Sequence, residues 1–530
     1  MSTTRDVGSL LTLYRAIYAA GVSVAALAAV AAAGWALGGG PGLVAWPVAA
    51  VLAAALLYGV GKRAAEFRSL RHVPGPKPAF FLGNMADLLA HGHGGRDRAL
   101  EALHERHGPV VRLHLAWGSA PLVSLSYASG NLGRKGLDSH RRADGTVLSR
   151  SLMGVPGGEL HRSHRQTITP HLTKRSVGER TYVLREMAAL YVEKWKHIDG
   201  VHDGLQSDLR DWSVGCLSAF LFGDDWHAQD VDMKWYYGEL AAIEEEVSFR
   251  AFHPFFVRWI FPSRRARVNA AYRNVAGVME SVMRHRERSV PDSCPAHERP
   301  QDLLDQLVRP APGSEAASWT EKDRVEELMS LILGGADPMS YVISQALVLL
   351  AKHPEVQQKA QEAAGRPAAV AVGTGGACPV TGTRNEAPDP YILDVVYETL
   401  RLYPPVPYSA KFSPDRPVEE RGLSIPPGTV IMWMKNVVGR NKETFEDPDG
   451  FRPDRFSAQG VDRDTLNSFL PFGAGPRHCV GNRLAERQCA VLLTEILRNF
   501  DIAHDDNVKV EFHSTISVVP STVPVSLIAR

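Results

Sequence analysis

Phe472-Gly473-Ala474-Gly475-Pro476-Arg477-His478-Cys479-Val480-Gly481 is a loop punctuated by glycine and proline that presents a single cysteine. The Asn482-Arg483-Leu484-Ala485-Glu486-Arg487 that follows reads as the first turns of a helix. Gly473, Gly475 and Gly481 carry no Cβ, so the backbone passes close to a flat ligand without clashing. Pro476 stiffens the loop, and Arg477 offers a forked donor to a carboxylate. A cysteine at a helix start sits where the dipole and free N–H groups favour its thiolate. A thiolate in a donor-rich, water-poor loop suits the axial position on haem iron, where it favours O–O cleavage. For one cysteine alone, the plainer reading is a buried, inert thiol in a turn.

The 530-residue chain is 45% hydrophobic and 22% charged, an ordinary globular composition with ample length to bury a cofactor and a core. A net charge of +1 gives no reason to invoke nucleic acid. The five cysteines (Cys216, Cys294, Cys378, Cys479 and Cys489) are scattered and form no CxxC. Zinc and structural disulfides are therefore not expected, and a reducing cytosolic environment fits.

The N-terminus differs from the rest. Residues 17–37 are an almost unbroken apolar run, Gly38-Gly39-Gly40-Pro41-Gly42 breaks it, and residues 43–60 form a second run containing Pro47. Each is near the ~20 residues that cross a bilayer. Arg5 and Arg15 precede the first run; Lys62, Arg63, Arg68 and Arg71 follow the second. By the positive-inside tendency both flanks are cytosolic, which predicts a two-helix hairpin, with a single anchor as the alternative. Residues 1–62 thus read as a membrane anchor, 63–78 as a hinge stiffened by Val73-Pro74-Gly75-Pro76-Lys77-Pro78, and 79–530 as the main domain.

Within that domain, residues 99–107 read as a helix, and 110–115 and 122–125 as strands of a small sheet. In the helix opened by Gly157-Gly158-Glu159, His161 and Arg165 are four apart and share a face, which on its own is a solvated basic surface. Helical patterns recur over 180–196, 205–221, 232–246 and 268–287. Residues 249–261 are dense in aromatics and precede Arg264, Arg265 and Arg267, suiting either a membrane surface or buried core at a bend. Thr320 caps a long helix, 325–350, whose middle reads Gly334-Gly335-Ala336-Asp337-Pro338-Met339-Ser340. Residues 366–389 read as a surface insertion. Helix 391–402 places Glu398 and Arg401 on one face. A strand is expected at 430–434, a helix at 484–500 and strand-like chain over 509–528.

The pattern Phe-x-x-Gly-x-Arg-x-Cys-x-Gly resembles the haem-binding loop of the cytochrome P-450 family, and the resemblance runs from about Gly75 to Arg530. It implies a mainly α fold with small β-sheets, here preceded by N-terminal transmembrane segments. It implies haem b with Cys479 as the axial iron ligand and Phe472, Gly473 and Gly481 shaping the loop. Arg477, His161, Arg165 and Lys411 would hold the propionates. Glu398 and Arg401, joined by Arg455 of Phe451-Arg452-Pro453-Asp454-Arg455-Phe456, would form the family's structural Glu–Arg–Arg network. Gly334 and Gly335 would shape the oxygen and substrate space, and Asp337 would relay protons. The family normally has Thr where this chain has Pro338. Proline lacks the alcohol and kinks helices. Ser340, two residues on, points about 200° away around a regular helix and replaces that alcohol only if the helix is distorted.

The activity so implied is a monooxygenase acting on a lipophilic substrate, a sterol, fatty acid or other lipid. NADPH would act indirectly, through a separate reductase of the cytochrome P-450 reductase type, with cytochrome b5 a candidate second donor. Arg483, Arg487 and Lys442 are basic residues suited to docking it. The expected location is the endoplasmic reticulum membrane with the catalytic domain facing the cytosol. Pro338 motivates a rival, a haem-thiolate peroxygenase or lipid-peroxide isomerase. A non-catalytic haem sensor is a rival of another class; the aromatic-rich residues 249–261, which the resemblance places at the family's lid over the substrate, and the long helix argue against it.

Overall fold

The computed structural model describes residues 45–530 apart from residues 81, 90–95, 116–119, 130–137, 140–147, 199–201, 203, 253–261, 292–293, 296–298, 301, 367–387, 413–415, 458–468 and 515–516. The first apolar run, most of the aromatic-rich segment and nearly all of the surface insertion lie outside the described residues. The chain divides into two compact units, one running up to Ser129 with Ala410–Trp433, the other chiefly Gly130–Ala251, Phe261–Ser409 and Met434–Arg530.

In the first unit, helix α1 covers Ala45–Ser69. It carries the second apolar run past the expected boundary at residue 62, so residues 63–69, read from sequence as hinge, are helical. No proline interrupts the chain between Trp46-Pro47 and Pro74, and side chains hold the last turns in place. Arg63 is buried, its Nη2 donating to Leu115 O at 2.5 Å and its Nε to Phe80 O at 3.3 Å. Leu70 and Val73 are fully buried. The proline stretch is docked too: Arg112 N–H donates to Pro74 O at 2.7 Å and its Nη1 to Val73 O at 2.7 Å. Strands β1 (Val110–His114) and β2 (Pro121–Leu125) pair antiparallel, Val110 opposite Leu125. β2 then pairs in parallel with β3 (Val430–Met434), Leu122 opposite Val430. β2 and β3 are buried throughout, as the continuous apolar run Val-Ile-Met-Trp-Met of β3 requires.

The second unit is mostly helical. Its main helices are α2 (Glu159–Ile168), α3 (Thr181–Trp195), α4 (Leu205–Phe222), α5 (Met233–Phe252), α6 (Pro262–Ser289), α7 (Glu321–Lys352), α8 (Pro354–Gly365), α9 (Pro390–Leu402), the short α10 (Lys435–Val438) and α11 (Asn482–Asn499). A pair of strands, β4 (Phe500–His504) and β5 (Val525–Ala529), is antiparallel. α7 is the axle of the core. Thr320 caps it by accepting from Asp323 N–H at 3.2 Å, while Asp323 Oδ2 accepts from Thr320 N–H at 2.8 Å. At 32 residues it spans about 48 Å. It is the one helix among the described residues long and apolar enough to cross a membrane, and it is largely buried inside this unit.

α7 packs most extensively against α4. Gly335 permits this: a Cβ there would come 2.5 Å from Leu217 Cδ1. Ser213 Oγ donates to Gly335 O at 3.2 Å across the same contact. Trp212, Phe220 and Phe222 of α4 are fully buried, each contributing roughly 1.5–3 kcal/mol or more of burial free energy.

Candidate functional site

The cysteine loop is built around its own backbone. Gly473 and Gly475 both adopt φ +73°, a left-handed conformation that side chains disfavour. The turn they make lets Cys479 N–H donate to Phe472 O at 2.9 Å, while the Phe472 ring packs on the core. Gly481, at an ordinary φ of −88°, caps α11, and its N–H bonds the Cys479 sulfur. The thiol is accessible although the surrounding protein strongly desolvates it. Burial pushes the Cys479 thiol above its ordinary value, opposed by the Gly481 N–H, Lys435 and Arg165. A coordinated metal would favour the deprotonated sulfur further.

Cations surround this sulfur. Arg165 of α2 donates through Nη1 to His478 O at 2.9 Å and through Nη2 to the His478 ring. Burial lowers its pKa, and the nearby Cys479 counteracts this. Arg477 donates to Val155 O at 2.8 Å and Leu152 O at 3.3 Å. His161, one turn before Arg165 on the same helix, is buried. Lys435, which sequence reading missed, donates through Nζ to Pro471 O at 2.9 Å, and burial lowers its pKa to about 8. It opens α10 right after a strand, and no motif marks it. Lys411 lies in the strand Tyr408–Phe412, in the part assigned to the other unit, and its side chain lies outside the described residues.

The segment from Leu148 to Val155 connects this loop to α7. Arg477 holds its carbonyls, and α7 holds its amides: Leu152 N–H donates to Glu327 Oε2 at 2.8 Å and Arg150 N–H to Glu326 Oε2 at 2.7 Å. Arg150 also forms a forked pair with Asp323, at 2.6 and 3.0 Å. His164 of α2 meets Glu327 at 2.6 Å and stacks on Trp319 at 4.1 Å. Neither His164 nor Glu327 was singled out in the sequence, because only the fold juxtaposes residues 163 positions apart. Met153 is the nearest side-chain neighbour of Gly334, its sulfur 3.8 Å from where a Cβ would stand. Between Asp323 and Ala351, Gly334 alone is exposed.

Gly335, Asp337 and Ser340 of the same motif face α4. Asp337 is clamped by Arg210, Nε to Oδ1 at 2.8 Å and Nη2 to Oδ2 at 3.0 Å. Burial works against the Arg210 charge, and Asp337 more than offsets it, leaving its pKa above the usual value. The Tyr237 hydroxyl donates to Arg210 O, tying α5 to the same point. Ser340 Oγ donates to Asp337 O at 2.9 Å and accepts from Gln206 at 3.4 Å. The helix is continuous through Pro338, so Ser340 stays on the α4 face and does not replace the missing alcohol.

Elsewhere in this unit, Glu398 receives both arms of Arg401 at 2.7 Å and Nε of Arg455 at 2.9 Å, with all three side chains 0–10% exposed. The arginines' remaining donors hold the carbonyls of Gly439, Pro448, Gly450, Glu446 and Asp447. Of the docking candidates, Arg483 pairs with Glu486 at 3.0 Å, Arg487 is partly desolvated and Lys442 is exposed.

A deep accessible thiol, a glycine open at the centre of the core helix and desolvated cations around the sulfur together fit a haem with its acidic edge. Residues 73–528 match the Cytochrome P450 family. Cytochrome P450 4d2 of Drosophila melanogaster is 26% identical over 81% of this chain and 88% of its own length. Cytochrome P450 3A13 of Mus musculus is 26% identical over 84% and 88%. Drimenol monooxygenase of Persicaria hydropiper is 23% identical over 81% and 85%.

Proposed function

The chain belongs to the cytochrome P450 family and is a haem-thiolate monooxygenase, and from that premise we propose that it oxidises a lipophilic small molecule, a sterol, fatty acid or other lipid, at a membrane surface. The observation that carries the reading is the Leu148–Val155 segment, which joins the accessible Cys479 loop to the open Gly334 of α7. The apolar runs before residue 62 support membrane attachment and access to lipids. The endoplasmic reticulum, with the main domain in the cytosol, fits the basic flanks. Electrons come from a separate reductase, of the cytochrome P-450 reductase type or with cytochrome b5 assisting.

When bound, haem b supplies the redox chemistry that puts one oxygen atom of O2 into the substrate and the other into water. The chain's residues do the rest. Cys479 provides the sulfur ligand, and Phe472, Gly473 and Gly481 hold it. Arg477, Arg165 and His161 would hold the propionates, and the open Gly334 would leave room for oxygen and substrate. Gly335 serves the contact with α4. Asp337 delivers protons, and to do so its carboxylate must part from Arg210. Glu398, Arg401 and Arg455 are structural, bracing the fold through their buried ion pairs.

A second reading, peroxygenase or lipid-peroxide isomerase, is favoured by Pro338 together with the engagement of Ser340 on the α4 face. One experiment separates them: a spectral binding screen of lipids on purified protein, followed by turnover with reductase, NADPH and oxygen. Strict dependence on all three is the expected result. Turnover with peroxide or a lipid peroxide alone supports the second reading.

A further inference from the structure

We propose that the main-chain carbonyl of Gly334 is a hydrogen-bond acceptor left open by Pro338, and that it selects lipophilic substrates carrying a hydroxyl. The proposal rests on the reading of a lipid-oxidising enzyme and narrows its substrate class. α7 runs as one helix from Glu321 to Lys352 with Pro338 inside it. In such a helix each N–H donates to the carbonyl four residues back. Pro338 has no N–H, so the bond that would end on Gly334 O is not made, and the proline ring crowds that carbonyl. A glycine has no side chain, so the exposure of Gly334 in the middle of a buried helix is exposure of backbone. The neighbouring carbonyls differ. Gly335 O lies four residues before Met339, which has an N–H to give it, and Ser213 Oγ donates there as well at 3.2 Å. Asp337 O receives Ser340 Oγ at 2.9 Å.

The surroundings decide what this carbonyl accepts from. The side chain nearest Gly334 is that of Met153, its sulfur 3.8 Å from where a Cβ would stand, and a thioether brings no donor. The polar groups of the next turn are engaged: Asp337 by Arg210 at 2.8 and 3.0 Å, and Ser340 by Gln206 at 3.4 Å. An ordered water needs about two to four polar partners, and Gly334 O offers one. A lipid hydroxyl needs only that one, because burial of its carbon skeleton holds the rest of the molecule. A ligand without a donor would cover the carbonyl and leave it unpaired, which disfavours that ligand.

The test uses the haem-loaded full chain and three matched probes. Dodecanol donates a hydrogen bond, its methyl ether keeps the oxygen without the donor, and dodecane has neither. Dissociation constants are read from the haem absorption change on titration and by calorimetry. The wild type should bind dodecanol about tenfold more tightly than the ether or the alkane. Pro338→Ala supplies the missing N–H on a residue that favours helix. The amide it introduces should be protected from hydrogen exchange, and the preference for the alcohol should fall below about twofold while the alkane still binds. A preference that survives in Pro338→Ala, as ligation of iron by the alcohol would give, overturns the proposal. So does an unprotected amide in that variant. Equal binding of the three probes to the wild type overturns the proposal and leaves the lipid reading standing. If none of them binds, the lipid reading falls and the proposal with it.

Discussion

The cysteine loop and the middle of α7 face a common segment of chain, yet they are made differently. The loop side is held by several short bonds to backbone: Cys479 to Phe472, Arg477 to Leu152 and Val155, and Lys435 to Pro471. Its geometry is over-determined. The α7 side is held by side chains that face α4, and only Gly334 is open. The acid of this side is clamped in an ion pair, and the alcohol expected beside it is absent. A carboxylate gripped by both arms of an arginine cannot pass on a proton where it sits, so the proton delivery proposed for Asp337 requires that pair to open.

The largest effect tests the ligand side. Cys479→Ala should abolish the thiolate band of the ferrous–carbon monoxide complex; a surviving band would remove the basis of the comparison. Glu398→Gln should come next. It leaves Arg401 and Arg455 facing a neutral group in a buried site, at a cost of about 3–5 kcal/mol, measurable by denaturant unfolding of the haem-loaded protein. A loss below about 1 kcal/mol would show the network to be a solvated surface pair.

The proton side should respond in rate rather than in stability. Asp337→Asn should lower turnover by about 100-fold with haem content and substrate affinity retained. A normal rate, with only unfolding affected, would make Asp337 a structural partner of Arg210. Gly335→Ala should destabilise by about 1–3 kcal/mol through the clash with Leu217, leaving the product pattern unchanged; a changed pattern would place this glycine at the substrate after all. The smallest effect is expected for Pro338→Thr, which should couple electrons to product more tightly by less than about tenfold. Unchanged coupling would mean that the alcohol has no role here.

Much of this was legible in the residues. The spacing around Cys479, the Thr320 cap, the Glu398–Arg401 face and the helical periods each rest on neighbours within a few residues, and local geometry acts at that range. The Pro-rich stretch was read as a hinge because its backbone is stiff. Whether it is loose or docked depends on Arg112, which the stretch itself does not contain. The same limit hid His164 with Glu327, Arg210 with Asp337, and Lys435 with the loop. Each is an ordinary charged residue on an ordinary helix until another element arrives beside it.

The sequence by itself determined which loop presents the sulfur, which helix carries the open glycine, and that a proline stands in place of a threonine. Only the tertiary structure decided that the sulfur is accessible at depth, that the acid is clamped, that Ser340 looks the wrong way and that a lysine stands next to the ligand loop. The physical reason is range. Backbone conformation is set by residues a few positions apart, whereas burial and Coulomb interactions depend on what packs nearby in space, wherever it lies along the chain.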